Sequence, residues 1–168
     1  MNGAEFKTLR EACGLTVPDM ARLAISPRTG APVGERTIRY WESGDVPVPD
    51  DVADLLLELD GSISQAVAGA MAQVRAVIKK QGRGPTETHM VRYRENEDLW
   101  RYQPEMKGLP ATYHAAMINR ARVALSRIGI ATRIVWMNPS EYTRWLAGRD
   151  DSAGLRAVWA AEQGGKNE

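Results

Sequence analysis

The sequence predicts a mainly helical protein in two parts: an N-terminal domain of five helices, followed by a smaller α+β C-terminal domain with two strands. Three observations lead to this prediction. Apolar residues recur every three or four positions through most of residues 5–80, which is the period of an amphipathic helix. Residues 81–86 (QGRGPT) then interrupt the pattern with two glycines and a proline. Beyond this interruption, HMVRYR alternates apolar and polar residues as a half-buried strand does, and IATRIVWM has the composition of a second strand.

The interruptions also suggest how the 168 residues are organised, since this length allows either one large domain or two small ones. We predict an N-terminal domain over residues 1–61 and a long connector helix with a linker over 62–84. Residues 85–168 would then form a second domain, and the helix over 62–80 is either a connector or a dimer-forming helix.

Composition excludes several classes of protein. Cys13 is the only cysteine, so the chain cannot form an internal disulfide. No run of about 18 apolar residues would cross a membrane, and the N-terminus MNGAEFKTLR lacks the apolar segment of a signal peptide. His89 and His114 have no metal-ligand spacing and no nucleophile near them in sequence. We therefore expect a cytoplasmic protein that is not an enzyme, has no catalytic residues and needs no metal or other cofactor.

Local signals define the helices of the first part. The predicted helices cover residues 5–13, 17–24, 35–43, 50–59 and 62–80. Gly14, Gly44 and Gly61 are expected to end the first, third and fourth of them. Thr16 is a candidate N-cap for the second, and Asp19 completes a T-x-x-D capping pattern.

Residues 25–34 (ISPRTGAPVG) are predicted to be a loop, because two prolines and two glycines lie among them. The loop is longer than the three or four residues of a tight turn between two helices. It is either a tolerated surface insertion or a segment whose Arg28 reaches a phosphate group.

The second part alternates strands and helices. Strands are predicted over 89–94 and 130–137, and helices over 95–102, 111–128, 139–147 and 152–163. Asn138 is the expected N-cap of the third of these helices, with Pro139 at its first position and Glu141 placed to close a capping box. We expect residues 164–168 to fray.

Residues 35–44 (ERTIRYWESG) are the most informative stretch. At helical spacing Ile38 and Trp41 share one face, while the other carries a polar set of Glu35, Arg36, Arg39 and Tyr40. Two short helices precede the stretch and a proline-containing turn follows it. This is the order expected of a helix-turn-helix, whose second helix enters the DNA major groove.

The charge distribution is an objection to DNA binding. Residues 1–60 carry six Lys or Arg against eleven Asp or Glu, a net charge of −5, whereas residues 61–84 carry +4 and residues 85–168 carry +2. Attraction to phosphate supplies most non-specific affinity for DNA. Many of the acids fall in residues 45–60, after the predicted recognition helix.

The segments FKTLREACGLT, MARLA, RTIRYWESG and VPDDV, within residues 5–52, resemble the Cro/repressor (XRE) class of helix-turn-helix regulators. The run RYWESG followed by VPDDV, with a mixed domain after it, is most similar to the YdiL-like regulators, which include the anti-CRISPR-associated autorepressors. The resemblance implies a homodimeric DNA-binding repressor whose second domain forms the dimer. RTIRYWESG with SPRT also resembles the MerR-type motif, although the helices predicted over 5–13 and 50–59 do not fit it.

The resemblance further implies roles for individual residues. Arg10 and Glu42 match a charge pair that ties the first helix to the recognition helix, which is a structural role. Arg36 and Arg39 match positions that read bases, since a guanidinium can bond O6 and N7 of guanine together. Tyr40 and Glu35 either contact DNA or belong to the solvated face of the helix.

Two further residues match phosphate-contacting positions. Thr16 and Arg22 lie near the start of the second helix, where free backbone N–H groups attract anions. Simple capping by Thr16 and an ordinary surface charge at Arg22 are the alternatives.

The sequence therefore predicts a sequence-specific transcriptional regulator, an autorepressor, that binds a double-stranded DNA operator as a homodimer. The alternative is a protein-interaction module, such as an antitoxin-like or anti-restriction factor, in which binding of DNA or RNA is secondary. Two observations suggest this alternative: the N-terminal part is acidic, and the second domain carries Trp100, Trp136, Trp145 and Trp159.

Overall fold

The computed structural model describes residues 1–164 and is mainly helical, with a small parallel sheet of two strands. In chain order its elements are α1 (Gly3–Ala12), α2 (Val17–Leu23), α3 (Glu35–Ser43), α4 (Asp50–Gln81), β1 (Glu87–Arg92), α5 (Asn96–Tyr102), a 3₁₀ turn (Pro104–Met106), α6 (Ala111–Ser126), β2 (Ala131–Trp136), α7 (Pro139–Leu146) and α8 (Ala153–Gly164). Contacts divide the chain into an N-terminal unit (Met1–Ala66) and a C-terminal unit that begins at Val67. The boundaries predicted after residues 61 and 84 remain predictions, and the expectation for 165–168 lies outside the described residues.

Reciprocal caps begin the first two helices. Asn2 caps α1 by accepting from the backbone N–H of Glu5, whose carboxylate in turn accepts from the Asn2 N–H at 2.8 Å. Thr16 and Asp19 form the same arrangement at the start of α2, as the sequence predicted. Helix α3 ends at Gly44, which has a φ of +81°, a left-handed conformation that glycine adopts without strain.

The segment between α2 and α3 is folded back on itself. Ile25 and Pro32 form an antiparallel bridge, and the Ser26 N–H donates to the carbonyl of Ala31 at 2.9 Å. Gly30 takes a positive φ of 65° at the tip. The predicted loop is therefore a short hairpin-like excursion held by its own backbone hydrogen bonds.

The core of the N-terminal unit lies between its four helices. Its buried apolar side chains are Phe6, Cys13, Leu15, Met20, Ala21, Ala24, Ile38, Trp41, Val48, Val52, Ala53, Leu56 and Ile63. Burial of a side chain of this size contributes about 1.5–3 kcal/mol. The short helices α1–α3 are thus stabilised mainly by packing, because helices of their length are marginal in water by themselves.

Helix α4 corrects one prediction, because Gly61 does not end a helix. A single helix runs from Asp50 to Gln81, so the two helices predicted over 50–59 and 62–80 are one. A glycine in a helix interior costs only about 1 kcal/mol relative to alanine. The burial of Leu56 and Ile63 on either side of Gly61 offsets that cost. Although α4 has 32 residues, neither it nor any other helix in the described part of the chain is apolar and long enough to span a membrane.

The C-terminal unit is built on the parallel pairing of β1 with β2. Glu87 pairs with Ala131 and Arg92 with Trp136, and the intervening α5, 3₁₀ turn and α6 form the crossover that parallel strands require. Strand β1 begins and ends two residues earlier than predicted. The last hydrogen bond between the two strands runs from the Met137 N–H, just after β2, to the carbonyl of Arg92 at the end of β1. The chain continues from β1 into α5.

Aromatic side chains dominate the core of the C-terminal unit. Tyr142 packs edge-on against Tyr102 and Trp159, with ring centroids 5.4 Å apart in both pairs. The N-cap of α7 is Asn138, whose side chain accepts from the Glu141 N–H at 3.2 Å. Of the tryptophans that suggested a protein interface, Trp159 is buried, and Trp136 is 42% exposed.

Candidate nucleic-acid interface

Helix α3 is held by its apolar face. Ile38 and Trp41 are buried, as their spacing predicted, and the ring of Trp41 meets Phe6 of α1 edge-on at 6.1 Å between centroids. The position and rotation of α3 are therefore fixed by the core. Consequently, the residues on its opposite face point into solvent in a defined arrangement.

Four exposed residues form that opposite face, and they contact one another in two pairs. Arg39 donates from Nη2 to Oε2 of Glu35 at 2.9 Å, four residues earlier on the helix. Arg36 donates from Nε to the hydroxyl of Tyr40 at 2.6 Å, and its guanidinium carbon lies 5.1 Å from the ring centroid. Two guanidinium groups are thus displayed side by side, each oriented by a neighbour one turn away.

Arg10 connects α1 to the end of α3. Its Nε donates to Oε1 of Glu42 at 2.6 Å and its Nη1 to the carbonyl of Leu15 at 2.5 Å. The Arg10 side chain is 6% exposed and that of Glu42 is 10% exposed. Arg10 is therefore satisfied inside the unit and is not presented to a ligand, which is the structural role expected of it.

Gly3 lets the start of α1 approach the end of α3, a contact that the sequence did not predict. A Cβ atom at this position would lie 2.3 Å from the carbonyl oxygen of Trp41 and 2.8 Å from that of Glu42. Real Cβ atoms do not come so close to backbone. No sequence signal separates Gly3 from an ordinary helix-terminal glycine, because the close approach depends on tertiary packing.

Thr16 and Arg22 converge on Asp19. Asp19 accepts from the Thr16 N–H at 2.9 Å and from Nη2 of Arg22 at 2.5 Å. Burial alone would raise the pKa of Asp19, but the hydrogen bonds from Thr16 and the Arg22 guanidinium hold it below its usual value. Thr16 thus acts as a cap, while the side chain of Arg22 is still 53% exposed beside the start of α2.

Arg28 lies in the hairpin-like segment between α2 and α3 and is exposed. The backbone around it is tied down, since Gly30 N–H donates to the Ser26 carbonyl at 2.8 Å. Its side chain is therefore carried on an ordered support rather than on a featureless loop.

Lys7 is a candidate that the sequence analysis did not single out. It is exposed on α1 and lines a cleft of about 440 Å³. The other residues of this cleft are Arg10, Glu11, Val17, Arg39, Glu42 and Ser43. Of the predicted DNA contacts, Arg39 is the one that the cleft brings together with Lys7. The i, i+3 spacing of Lys7 and Arg10 on α1 was the available signal.

The acidic residues that argued against DNA binding belong largely to another element. The first turns of α4 carry four exposed acidic residues, Asp50, Asp51, Asp54 and Glu58. The helix dipole stabilises the negative charges of Asp50 and Asp51 at the N-terminus of α4. On α3 itself, Glu35 is paired with Arg39 and Glu42 with Arg10. Within residues 1–164 no group of three or more His, Cys, Asp or Glu side chains is arranged to hold a metal ion.

Comparison with known proteins adds no family to this description. No protein-family model matches the sequence, and no curated protein matches it.

Proposed function

We propose that this chain is a sequence-specific DNA-binding transcriptional regulator of the XRE/Cro class, acting in the cytoplasm as a homodimeric autorepressor. In this proposal α2, the segment 25–34 and α3 form the helix-turn-helix, and α3 is the recognition helix. The observation that carries it is the pair of exposed arginines, Arg36 and Arg39, on a helix whose opposite face is buried.

The geometry of these arginines suits base recognition. An arginine fork bonds O6 and N7 of guanine in the major groove, which admits one α-helix. Arg39 has to exchange Glu35 for a base, and an exposed ion pair of this kind is worth only about 0.2–1 kcal/mol. Glu35 released in this way would accept a hydrogen bond from cytosine, while Tyr40 would turn its hydroxyl toward a phosphate or a base.

The remaining basic residues of the N-terminal unit supply candidate phosphate contacts. Lys7, Arg22 and Arg28 are exposed on α1, on α2 and on the ordered segment before α3. The hydroxyl and the backbone N–H of Thr16 both contact Asp19, so Thr16 would have to exchange these hydrogen bonds to reach a phosphate. Contacts of this kind position the protein and carry no sequence information.

A dimer follows from the mode of recognition. One helix reads only a few base pairs, so two copies related by two-fold symmetry would bind an inverted repeat with half-sites about 10 bp apart, or a multiple of that. The proposed partners are therefore double-stranded DNA and a second copy of the chain. RNA or another protein would be the alternative partner.

The proposal is tested by titrating a labelled duplex of the upstream DNA of its own gene with the full chain over a series of salt concentrations. We expect tight, salt-sensitive binding, and we expect Arg36→Ala and Arg39→Ala each to cost about 1–3 kcal/mol. The matched control is Arg127→Ala with Arg144→Ala, which removes the same charge from exposed positions of the C-terminal unit.

Each outcome has a distinct meaning. An equal loss in the Arg36→Ala/Arg39→Ala double variant and in the control double variant would show attraction by net charge alone and would remove α3 from the reading role. A footprint over one unrepeated half-site would contradict the dimer. Absence of binding even at low salt would contradict DNA recognition and place the protein-interaction module first.

A further inference from the structure

Strand β2 has one long side to which no strand is paired in the part of the chain that the structure describes. The sheet of the C-terminal unit has two strands, so β2 pairs with β1 alone. The unpaired side of a strand carries a row of free N–H and C=O groups and readily accepts another strand. Recognition of DNA by α3 does not use this side of β2.

The hydrogen bonds to β1 show which residues of β2 face away from it. The Ala131 N–H donates to the carbonyl of Thr86 at 3.0 Å, and the Met137 N–H donates to that of Arg92 at 2.8 Å. In a regular parallel ladder every second residue bonds the neighbouring strand, so the odd-numbered residues of β2 face β1. The backbone groups of the even-numbered residues point away from β1 and form the outer edge of β2. These residues are Thr132, Ile134 and Trp136.

The outer edge is open to a partner. A groove of about 630 Å³ is lined by residues 134–138 in succession, and successive residues of a strand point to opposite faces of a sheet. The groove therefore lies along the edge of β2 and not over one face. Ile134 is 41% exposed and Trp136 is 42% exposed, so apolar side chains are also uncovered at this edge.

Strand β2 lacks the features that protect many edge strands. Proteins commonly protect an edge with proline, several charges or a β-bulge. The sequence ATRIVW contains no proline and one charged residue, and its register with β1 runs from Ala131 to Trp136 without a bulge. Thr, Ile, Val and Trp all favour strands. The outer edge of β2 is therefore suited to pairing with another strand.

We propose that the outer edge of β2 pairs antiparallel with the same edge of a second copy, about a two-fold axis at Ile134. The inference rests on the homodimer of the proposed function and assigns the surface that forms it. With the axis there, Ile134 exchanges both backbone hydrogen bonds with its counterpart, and Thr132 exchanges them with Trp136 of the other copy. All N–H and C=O groups of the outer edge are then paired, and the contact closes after two copies.

The side chains of the outer edge fit this pairing. Residues that lie directly opposite each other in an antiparallel pair share one face of the sheet. Ile134 therefore packs beside its counterpart, and Thr132 packs beside Trp136 of the other copy. Pairs of β-branched and aromatic side chains stabilise a sheet. The two exposed apolar side chains are thus covered by the second copy.

The charges also favour a second copy as the partner. Arg133 would lie opposite Val135 of the other copy and not opposite the other Arg133, so like charges do not meet. Val135 lines the groove along the outer edge, whose charged residues are three acids and one arginine. They are Glu95, Asp98, Glu141 and Arg94. The ion pair of Arg133 with Glu87 is exposed, so Arg133 can exchange it for this acidic groove at little cost.

The first test measures the mass of the full chain by sedimentation equilibrium without DNA. We expect a dimer at tens of micromolar, and we expect Ile134→Lys to weaken it about tenfold or more, because two lysines then meet at the axis. The matched control is Ile128→Lys, at a similarly exposed isoleucine of the same unit outside the strand, which should leave the dimer unchanged. A monomeric wild-type chain would leave the edge to an extended segment of another protein and overturn the proposal. An equal effect of the two variants would overturn it as well.

The second test separates a lost contact from a lost fold. Ile134→Glu should weaken the dimer as Ile134→Lys does, whereas an equimolar mixture of the two variants should restore it, because lysine then meets glutamate at the axis. Variants that are impaired only because they unfold would not rescue each other. A mixture that is as monomeric as its components would overturn the proposal.

The third test distinguishes paired backbones from packed side chains by amide hydrogen exchange in the full chain. We expect the amides of Thr132, Ile134 and Trp136 to be protected in the dimer and to exchange faster on dilution. The amides of Arg133 and Val135 should stay protected throughout, because they bond β1. Fast exchange at the outer edge of the dimer would contradict strand pairing.

These measurements separate the surface from the proposed function, since none of them uses DNA. A dimer that depends on Ile134 but has no affinity for DNA would refute DNA recognition alone. A DNA-binding dimer that Ile134→Lys leaves intact would refute the outer edge of β2 as its surface and leave the proposed function standing.

Discussion

Helix α3 takes part in two glutamate–arginine pairs that differ in burial more than in length. Glu42 meets Arg10 at 2.6 Å with side chains 10% and 6% exposed, whereas Glu35 meets Arg39 at 2.9 Å with side chains 46% and 60% exposed. An exposed pair gains little because water screens it, and removing one partner from a buried pair leaves a charge without compensation. Burial, not distance, thus separates the part of α3 that holds the fold from the part that is available to a ligand.

The largest expected effect comes from making the same change in both pairs. We expect Glu42→Gln to lower the free energy of unfolding by about 3–5 kcal/mol, because the buried charge of Arg10 then keeps only its longer, 3.4 Å contact with the exposed carboxylate of Glu11. Glu35→Gln should change it by less than about 0.5 kcal/mol. Urea unfolding followed by tryptophan fluorescence measures both values, and similar losses in the two variants would remove the distinction between the pairs.

The next largest effect is the pH dependence of stability that a buried titratable group, His114, should cause. Its pKa is about 4 in the folded protein, against about 6.5 for an unperturbed histidine, so between these values the unfolded chain binds a proton that the folded chain does not. The free energy of unfolding should therefore fall as the pH falls through this window, by about 3 kcal/mol in total. His114→Gln should flatten this part of the pH profile of urea unfolding. An identical profile in the variant would show that other groups cause the slope.

The smallest expected effect comes from adding the same methyl group at two glycines, one in close contact with backbone and one without close neighbours. Gly3→Ala places a methyl group against the carbonyl oxygens of Trp41 and Glu42 and should destabilise the protein by about 1–3 kcal/mol. Gly61→Ala meets no atom within 4 Å and should stabilise α4 by about 0.5–1 kcal/mol. Thermal unfolding of the two variants gives the sign of each change. A stabilising Gly3→Ala would mean that α1 can move away from α3 at little cost.

The sequence predicted those parts of the fold that depend on neighbouring residues. The cap formed by Thr16 and Asp19, the end of α3 at Gly44 and the burial of Ile38 and Trp41 are all confirmed. The break at Gly61 was wrong because packing on both sides of the glycine outweighs a local propensity.

In the candidate interface, too, the sequence predicted the features that depend on neighbouring residues and missed those that depend on tertiary packing. The outward direction of Arg36 and Arg39 follows from helical period, and so do their partners one turn away. The close approach at Gly3 and the cluster around His114 do not follow, because they join segments that are distant in the chain. Gln103, at the end of α5, meets Tyr93 and His114 only because α5 and α6 pack together after β1.

The parallel pairing of β1 with β2 has a consequence for the order of folding. Glu87 reaches Ala131 only across the whole crossover of α5, the 3₁₀ turn and α6, so this contact closes a long loop of chain. The contact of Arg10 with Glu42 joins α1 to α3 across 32 residues, which is a shorter loop than the one between Glu87 and Ala131, and proteins with shorter-range contacts fold faster. During synthesis the N-terminal unit also leaves the ribosome first. We therefore expect the face of α3 to be formed while the C-terminal unit is still searching for its strand register.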